Sequence, residues 1–294
     1  MQSYHTSVLK DECFSFVKRF DVRRLVDCNL GEGGHAKYFL ENKSDLFITG
    51  IDCDAGIMDR AKENLCEQDG RICFLNSWAD AALAEMPDES EECVFFDLGI
   101  SMYHYKGSDR GFGFSKDERL DMRLCESDSL TAYDVVNGYS EKDLAKIIFE
   151  YSDERKSRRI AAKIVEERKK GRICTSKQLA ETVRTAFSPF EIRKSGIDVA
   201  TKTFQAIRIE VNNELGRLKS ELDCALRVIG KGGIVMVISF HSLEDRIVKY
   251  RFRQAAADGC YEIITKKPLT ASDAELESNP ASRSAKLRVI RRTI

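Results

Sequence analysis

An apolar strand that ends in an acid and then a glycine turn opening a helix leaves a chain few folds to adopt. Residues 25–35, Leu25-Val26-Asp27-Cys28-Asn29-Leu30-Gly31-Glu32-Gly33-Gly34-His35, form such a stretch. Without a Cβ, glycine reaches positive φ and lets the backbone approach a ligand just past a strand's carboxyl end. The spacing Asp27-x-x-x-Gly31-x-Gly33 departs from the dinucleotide fingerprint, and nothing matches the phosphate loop G-x-x-x-x-G-K-[ST]. A second apolar run, Phe47-Ile48-Thr49-Gly50-Ile51, ends in Asp52, nineteen residues after Gly33. A carboxylate there can accept both hydroxyl hydrogens of an adenosine ribose. The two motifs together read as the first half of an S-adenosylmethionine (SAM) site in a Rossmann-like domain, with a nicotinamide cofactor as the alternative. The plainer reading is a strand-to-helix turn, followed by a helix that Asp54 caps better than Asp52.

Strands and helices alternate through the first hundred residues: strands at 24–28, 47–51, 71–75 and 92–97, helices from about Gly34 and at 55–66 and 79–86. That order predicts a parallel, doubly wound sheet. After Asp97-Leu98-Gly99 the alternation stops. Residues 105–125 are rich in glycine, aromatics and charge, and 129–187 read helical, with Ser140 and Thr175 as helix starts. One long amphipathic helix from about Thr203 to Ile229 and strands at 233–239, 261–265 and 286–291 then return the chain to the sheet, while 270–285 reads as a mobile loop. The expected organisation is a methyltransferase-type domain in two parts, 1–104 and 201–294, interrupted by a helical substrate-recognition insertion at 105–200.

The 294 residues are 43% hydrophobic, enough to bury a sizeable core. No run approaches a membrane span, and Met1-Gln2-Ser3-Tyr4-His5 does not read as a signal peptide, so a cytoplasmic protein without membrane contact is expected. Ten cysteines without a C-x-x-C pair, among them Cys28, Cys73, Cys93 and Cys224, read as reduced core filler. Four scattered histidines give a zinc site little support, so no metal is expected. The net charge of −1 hides a segregation: residues 155–172 carry +7, residues 246–294 carry +6 and the remainder −14. Two basic runs on an acidic chain point to a polyanion, and the run at 155–172 is expected to meet nucleic-acid phosphates, against the alternative of a solvated helix face.

Several strings resemble one family. They are His5-Thr6-Ser7-Val8-Leu9, Gly31-Glu32-Gly33-Gly34-His35, Asp97-Leu98-Gly99-Ile100-Ser101, Arg110-Gly111-Phe112-Gly113-Phe114 and Leu120-Asp121-Met122-Arg123. Thr203-Phe204-Gln205-Ala206-Ile207-Arg208-Ile209, Ser239-Phe240-His241-Ser242-Leu243-Glu244-Asp245-Arg246 and Arg283-Ser284-Ala285-Lys286-Leu287-Arg288 follow in the same order. They resemble the MraW family of small-subunit ribosomal RNA methyltransferases. The resemblance implies a class I SAM-dependent methyltransferase fold, with a seven-stranded, mostly parallel sheet. It also implies methylation of the exocyclic N4 of a cytidine in the decoding region of 16S rRNA within the small subunit; a homodimer is compatible with it. Cofactor contacts carried over from the family fall on Gly31, Gly33, Gly34, His35, Asp52, Trp78, Asp97 and His104. Trp78 stands where the family has phenylalanine, and His104 where it has an amide. His35 is expected to contribute its backbone N–H rather than its ring.

An exocyclic amine attacks a sulfonium methyl directly, so no enzyme nucleophile is required. What the amine needs is an acceptor for its N–H hydrogens and in-line positioning. Asp97 is expected in that catalytic role, with His241 beside it at the end of the fifth strand, where a packed histidine after an ordinary serine-capped turn is the plainer reading. Tyr103, Tyr105, Phe112 and Phe114 are candidates to stack the cytosine. The alternatives are an amino-methyltransferase acting on DNA or a small amine, and a SAM-binding ribosome assembly factor without turnover.

Overall fold

The computed structural model describes residues 7–68 and 70–294; residues 1–6, which include His5 and Thr6 of the first family-like string, and Asp69 lie outside the described residues. Seven strands form one sheet: β1 (Arg24–Asp27), β2 (Phe47–Asp52), β3 (Ile72–Asn76), β4 (Glu91–Asp97), β5 (Ile229–Ser239), β6 (Tyr261–Ile263) and β7 (Lys286–Arg292). Their order is β3-β2-β1-β4-β5-β7-β6. Strands β1 to β5 pair in parallel, whereas β7 runs antiparallel to both β5 and β6. The direction of winding reverses between β1 and β4, so a crevice opens at their carboxyl ends. Asp27 and Asp97 are the last residues of those two strands.

The central strands are apolar on both faces, as a sheet covered by helices on both sides requires. Leu25, Phe95, Met236 and Ile238 pack with Phe14 and Phe39 from helices Lys10–Arg19 and Gly34–Asn42. Val26, Phe96, Val235 and Val237 pack on the opposite face with Leu218 and Leu222 of helix Glu214–Val228 and Phe252 of helix Ser242–Ala257. Side chains alternate along a strand. Asp97 therefore shares a face with Phe95, and Asp27 with Leu25. Cys28 and Cys93 are buried as expected, but Cys73 is exposed, because β3 lies at the sheet's edge.

Two compact units emerge from this chain: residues up to Ser101 together with Leu215–Ile294, and Met102–Glu214. The first carries the whole sheet. The second is helical, with helices Ala132–Gly138, Glu141–Ser152, Ser157–Lys170, Ser176–Arg184 and Thr201–Asn212 among its elements. Thr131 and Thr175 each close a capping box, and Ser140 caps its helix through the Asp143 N–H. The irregular segment before these helices is pinned by side chains. Arg110 donates to the carbonyls of Arg123 and Leu124, and buried Asn212 accepts from the Leu124 N–H (2.7 Å) while donating to the Met122 carbonyl (2.8 Å).

Two expectations need correction. The single helix at 203–229 is two helices, broken at Asn213, whose φ of 47° and ψ of 39° place it in the left-handed region that asparagine tolerates. Helix Thr201–Asn212 accordingly sits in the helical unit, and the division falls at Glu214 rather than at 200. The segment 270–285 is structured rather than loop-like: helix Asp273–Ser278 is capped by Ser272, and a 3-10 turn spans Pro280–Ser284. Glu275 Oε1 accepts the Leu9 N–H (2.8 Å) and Ser282 is buried, which fixes a stretch whose polarity alone suggested solvent. Among the described residues no helix is long and apolar enough to cross a membrane, and no group of three or more His, Cys, Asp or Glu is placed to hold a metal.

Candidate active site

The glycine turn after β1 is shaped by steric room. Gly33 has φ of 80°, and a Cβ there would stand 2.6 Å from Leu65 Cδ1; a Cβ on Gly34 would meet Ser7 Oγ at 2.4 Å. A side chain at Gly33 would be strained by its positive φ, and a Cβ at either place would displace the end of the Leu65 or Ser7 side chain. Gly33 caps helix Gly34–Asn42, whose first-turn N–H groups lack intrahelical acceptors and carry the positive end of the helix dipole. These donors suit a carboxylate.

Asp52, at the end of β2, is joined to this turn. Its Oδ2 accepts the Gly31 N–H and its Oδ1 the Asp54 N–H, both at 2.9 Å. Asp54, not Asp52, caps the following helix by accepting from Gly56. The Asp52 carboxylate is half-buried, and each of its oxygens has a second lone pair. The Ser77 N–H and the Asn76 side-chain amide both donate to the Asp52 carbonyl, which brings the end of β3 and the adjoining Trp78 beside it. One face of the Trp78 ring is covered by Arg217, whose guanidinium carbon lies 4.0 Å from the ring centroid. Arg217 is held in turn by both carboxylate oxygens of Asp80.

Beneath the turn, buried His35 and Asp27 cluster with the partly buried Asp97. His35 Nε2 is 2.9 Å from the Val8 carbonyl oxygen, and Nδ1 is 3.3 Å from Asp97 Oδ2. Asp97 Oδ1 is buried and has no hydrogen-bond partner among the described residues. Burial pushes the Asp27 carboxyl up to about 7, against the opposing pull of His35 and the Asn29 N–H. For His35 burial works against the charge, yet Asp97, Asp27 and the Val8 carbonyl outweigh it and hold the imidazole above its ordinary value. The His35 ring, turned away from the helix-start N–H expected to meet the cofactor, is the partner of Asp97.

His241 stands at the end of β5, and it is the histidine, not a serine, that caps helix Ser242–Ala257. Its Nδ1 accepts the Glu244 N–H (3.4 Å), its Nε2 lies 2.8 Å from Glu244 Oε1, and Glu244 Oε2 accepts the N–H groups of Phe240 (2.8 Å) and His241 (3.2 Å). Nδ1 is used on its own turn, whereas Nε2 is buried and makes no hydrogen bond among the described residues; buried Glu244 is the residue that sequence reasoning missed, and its place three residues after the cap was the available signal. Phe240 packs over Gly99, the position after β4 where a Cβ would lie 3.3 Å from the ring. His104 belongs to the helical unit, where its buried ring meets Tyr103 and Phe112. Of the four stacking candidates Phe112 is buried, Phe114 is covered by Phe204 and Arg184, and Tyr105 is exposed.

The sheet order, the glycine turn after β1 and the anchored acid after β2 define a class I SAM-dependent methyltransferase. The residues present are compatible with SAM: the first-turn N–H groups could take its carboxylate, Asp52 its ribose hydroxyls and Trp78 its adenine. The chain belongs to the MraW methylase family, whose model matches residues 2–293. It is 45% identical to "Ribosomal RNA small subunit methyltransferase H" of Treponema denticola, with 99% of this chain and 98% of that protein covered. Proteins of the same name from Persephonella marina and Borrelia turicatae are 45% and 43% identical, each over 98% of this chain and 99% and 98% of their own lengths.

Proposed function

We propose that this protein methylates the exocyclic N4 of a cytidine in the decoding region of 16S rRNA. The curated relatives' name supports the small-subunit rRNA, and the observation that carries the amine chemistry is Asp97 Oδ1, a buried acceptor with no partner at the carboxyl end of β4. SAM, when bound, supplies an electrophilic methyl group on a sulfonium. Everything else falls to the chain's own side chains. Asp97 accepts an N–H of the incoming amine, which turns the nitrogen lone pair out of conjugation with the ring and aims it; orientation of this kind is worth ~7–11 kcal/mol. Asp52 and the turn at Gly31–Gly34 hold the cofactor, and His241 keeps the Phe240 turn in place through Glu244.

The helical unit, in this reading, meets the RNA. Arg155, Arg158 and Arg159 extend into solvent with no hydrogen bond or ion pair among the described residues, whereas Lys156 is paired with Glu191, Lys163 with Glu166, and Lys170 with Glu167. Labelled methyl transfer from SAM to 30S subunits, free 16S rRNA, DNA or no acceptor tests the proposal. N4-methylcytidine in digests of the ribosomal acceptor is expected. Label in DNA alone would move the activity to another amine, and SAM binding without transfer would make the protein an assembly factor. Asp97→Asn, which trades an acceptor oxygen for a donor amide, should slow transfer at saturating SAM far more than it weakens SAM binding. Equal losses in both would leave Asp97 as a cofactor ligand alone.

A further inference from the structure

The His35 ring sits in a setting that requires two protons on it. A backbone carbonyl can only accept, so Nε2 must donate to Val8; a carboxylate likewise asks Nδ1 to donate to Asp97 Oδ2. Neutral imidazole has one N–H and would leave a lone pair facing an oxygen at one of the two contacts. Phe95, at a centroid distance of 5.0 Å and an interplanar angle of 68°, and Phe39, at 5.9 Å, wedge the ring so that it cannot turn away. His35 is 5% exposed, so neither contact can be handed over to bulk water.

We propose that His35 is a positioning residue for methyl transfer: donating to the Val8 carbonyl and to Asp97 Oδ2, its ring clamps the Asp97 carboxylate so that Oδ1 is the acceptor left for the substrate amine. This rests on the reading of Asp97 as the amine's acceptor. The clamp accounts for two otherwise separate facts, a histidine ring buried under a cofactor turn and a carboxylate with one oxygen held and the other unpartnered. The charged groups facing the ring are Asp97 from β4 and Asp27 from β1. Helix Lys10–Arg19 adds Cys13, a buried thiol pushed up by burial and by Asp97, and Asp52 acts on the cluster through Asp27. With Asp27 protonated, the pair of His35 cation and Asp97 anion is neutral as a whole, which makes its burial tolerable.

The sign of the pH effect follows from the raised value of His35: the clamp is intact below it and is lost as pH rises through it. Single-turnover transfer to 30S subunits at saturating SAM should therefore fall on the alkaline side in the wild type. His35→Gln, which keeps one donor but no charge, should transfer about a hundredfold more slowly and lose that alkaline fall. Its SAM affinity should hold, since the backbone N–H remains. Nitrogen NMR of the wild-type ring, which needs no variant, should show both nitrogens protonated at neutral pH, and in Asp97→Asn the titration should move down. A singly protonated ring at neutral pH, or a His35→Gln enzyme with the wild-type rate and pH profile, overturns the clamp. If Asp97→Asn transfers at the wild-type rate, it is the assignment of Asp97 that fails; if Asp97→Asn is inactive and His35→Gln is normal, only the clamp fails.

Discussion

At the scale of single residues, position and partner decide more than residue type. Asp52 and Asp97 are both carboxylates at strand ends, yet Asp52 has each oxygen fixed by a backbone N–H and Asp97 has one oxygen held and one without a partner. The first suits a ligand with two hydroxyls, and the second a group that brings a hydrogen. Asp52→Ala should cost on the order of 2–4 kcal/mol of SAM affinity, since two charge-assisted bonds are lost and the Gly31 and Asp54 N–H groups lose their anchor. Titration calorimetry that finds binding within about twofold of wild type, less than one neutral hydrogen bond is worth, would remove Asp52 from the site. The place of Asp52 was legible in the sequence because an apolar run and a spacing put it at a strand end. The orphaned oxygen of Asp97 was not, because satisfaction of an acceptor depends on neighbours distant in the chain.

At the scale of elements, the helix Ser157–Lys170 shows what a charge count leaves open. The run at 155–172 carries +7, but Arg168 donates to the carbonyls of Val136 and Tyr139, Arg172 reaches the carbonyl of Asn137, and Lys170 is paired with Glu167. Arg168 and Arg172 tie the helix to the segment around 136–139, and Lys170 is spent within its own helix. Arg155, Arg158 and Arg159, clustered about the helix start, and Lys169 near its end are exposed and available to phosphate. Replacing the three arginines by Ala should weaken binding of 16S rRNA and reduce the log–log salt slope by roughly 2, at about 0.7 per single-strand contact. SAM affinity should not change. A salt titration with unaltered slope and affinity would mark the helix as a solvated face. Caps and strand runs were readable locally: Thr175 with Gln178 and Thr131 with Asp134 satisfy their own N–H groups. The break at Asn213 was not, because the helical pattern runs on through it and the left-handed turn is a single residue.

For the molecule as a whole, the cost of buried acids sets its response to pH. Burial and the nearby Asp80 push Glu221, on helix Glu214–Val228, up to about 8, with Arg217 pulling the other way. A carboxyl raised in the folded state holds its proton longer than in the unfolded chain, so folding loses stability as pH climbs from the ordinary carboxylate range toward 8. The limiting penalty is about 5 kcal/mol, a ceiling that relaxation of the surroundings lowers. Glu221→Gln should raise the thermal midpoint at pH 9 and change it little at pH 5. A midpoint shift independent of pH would show that Glu221 is not the group responsible.

By itself the sequence determined the alternating strands and helices, the glycine turn, the acid after β2 and the family, because each is written in neighbouring residues or in a fixed spacing. Period-2 and period-3.6 hydrophobicity and steric demands on glycine act over a few positions and need no fold to be recognised. Tertiary structure alone decided that the His35 ring meets Asp97 across 62 residues, that Asn212 pins Met122 and Leu124, and that the polar stretch at 270–285 is fastened to Leu9. Such contacts depend on which strand ends the sheet order makes adjacent and on which polar atoms burial leaves without water, and neither quantity exists until the chain has closed on itself.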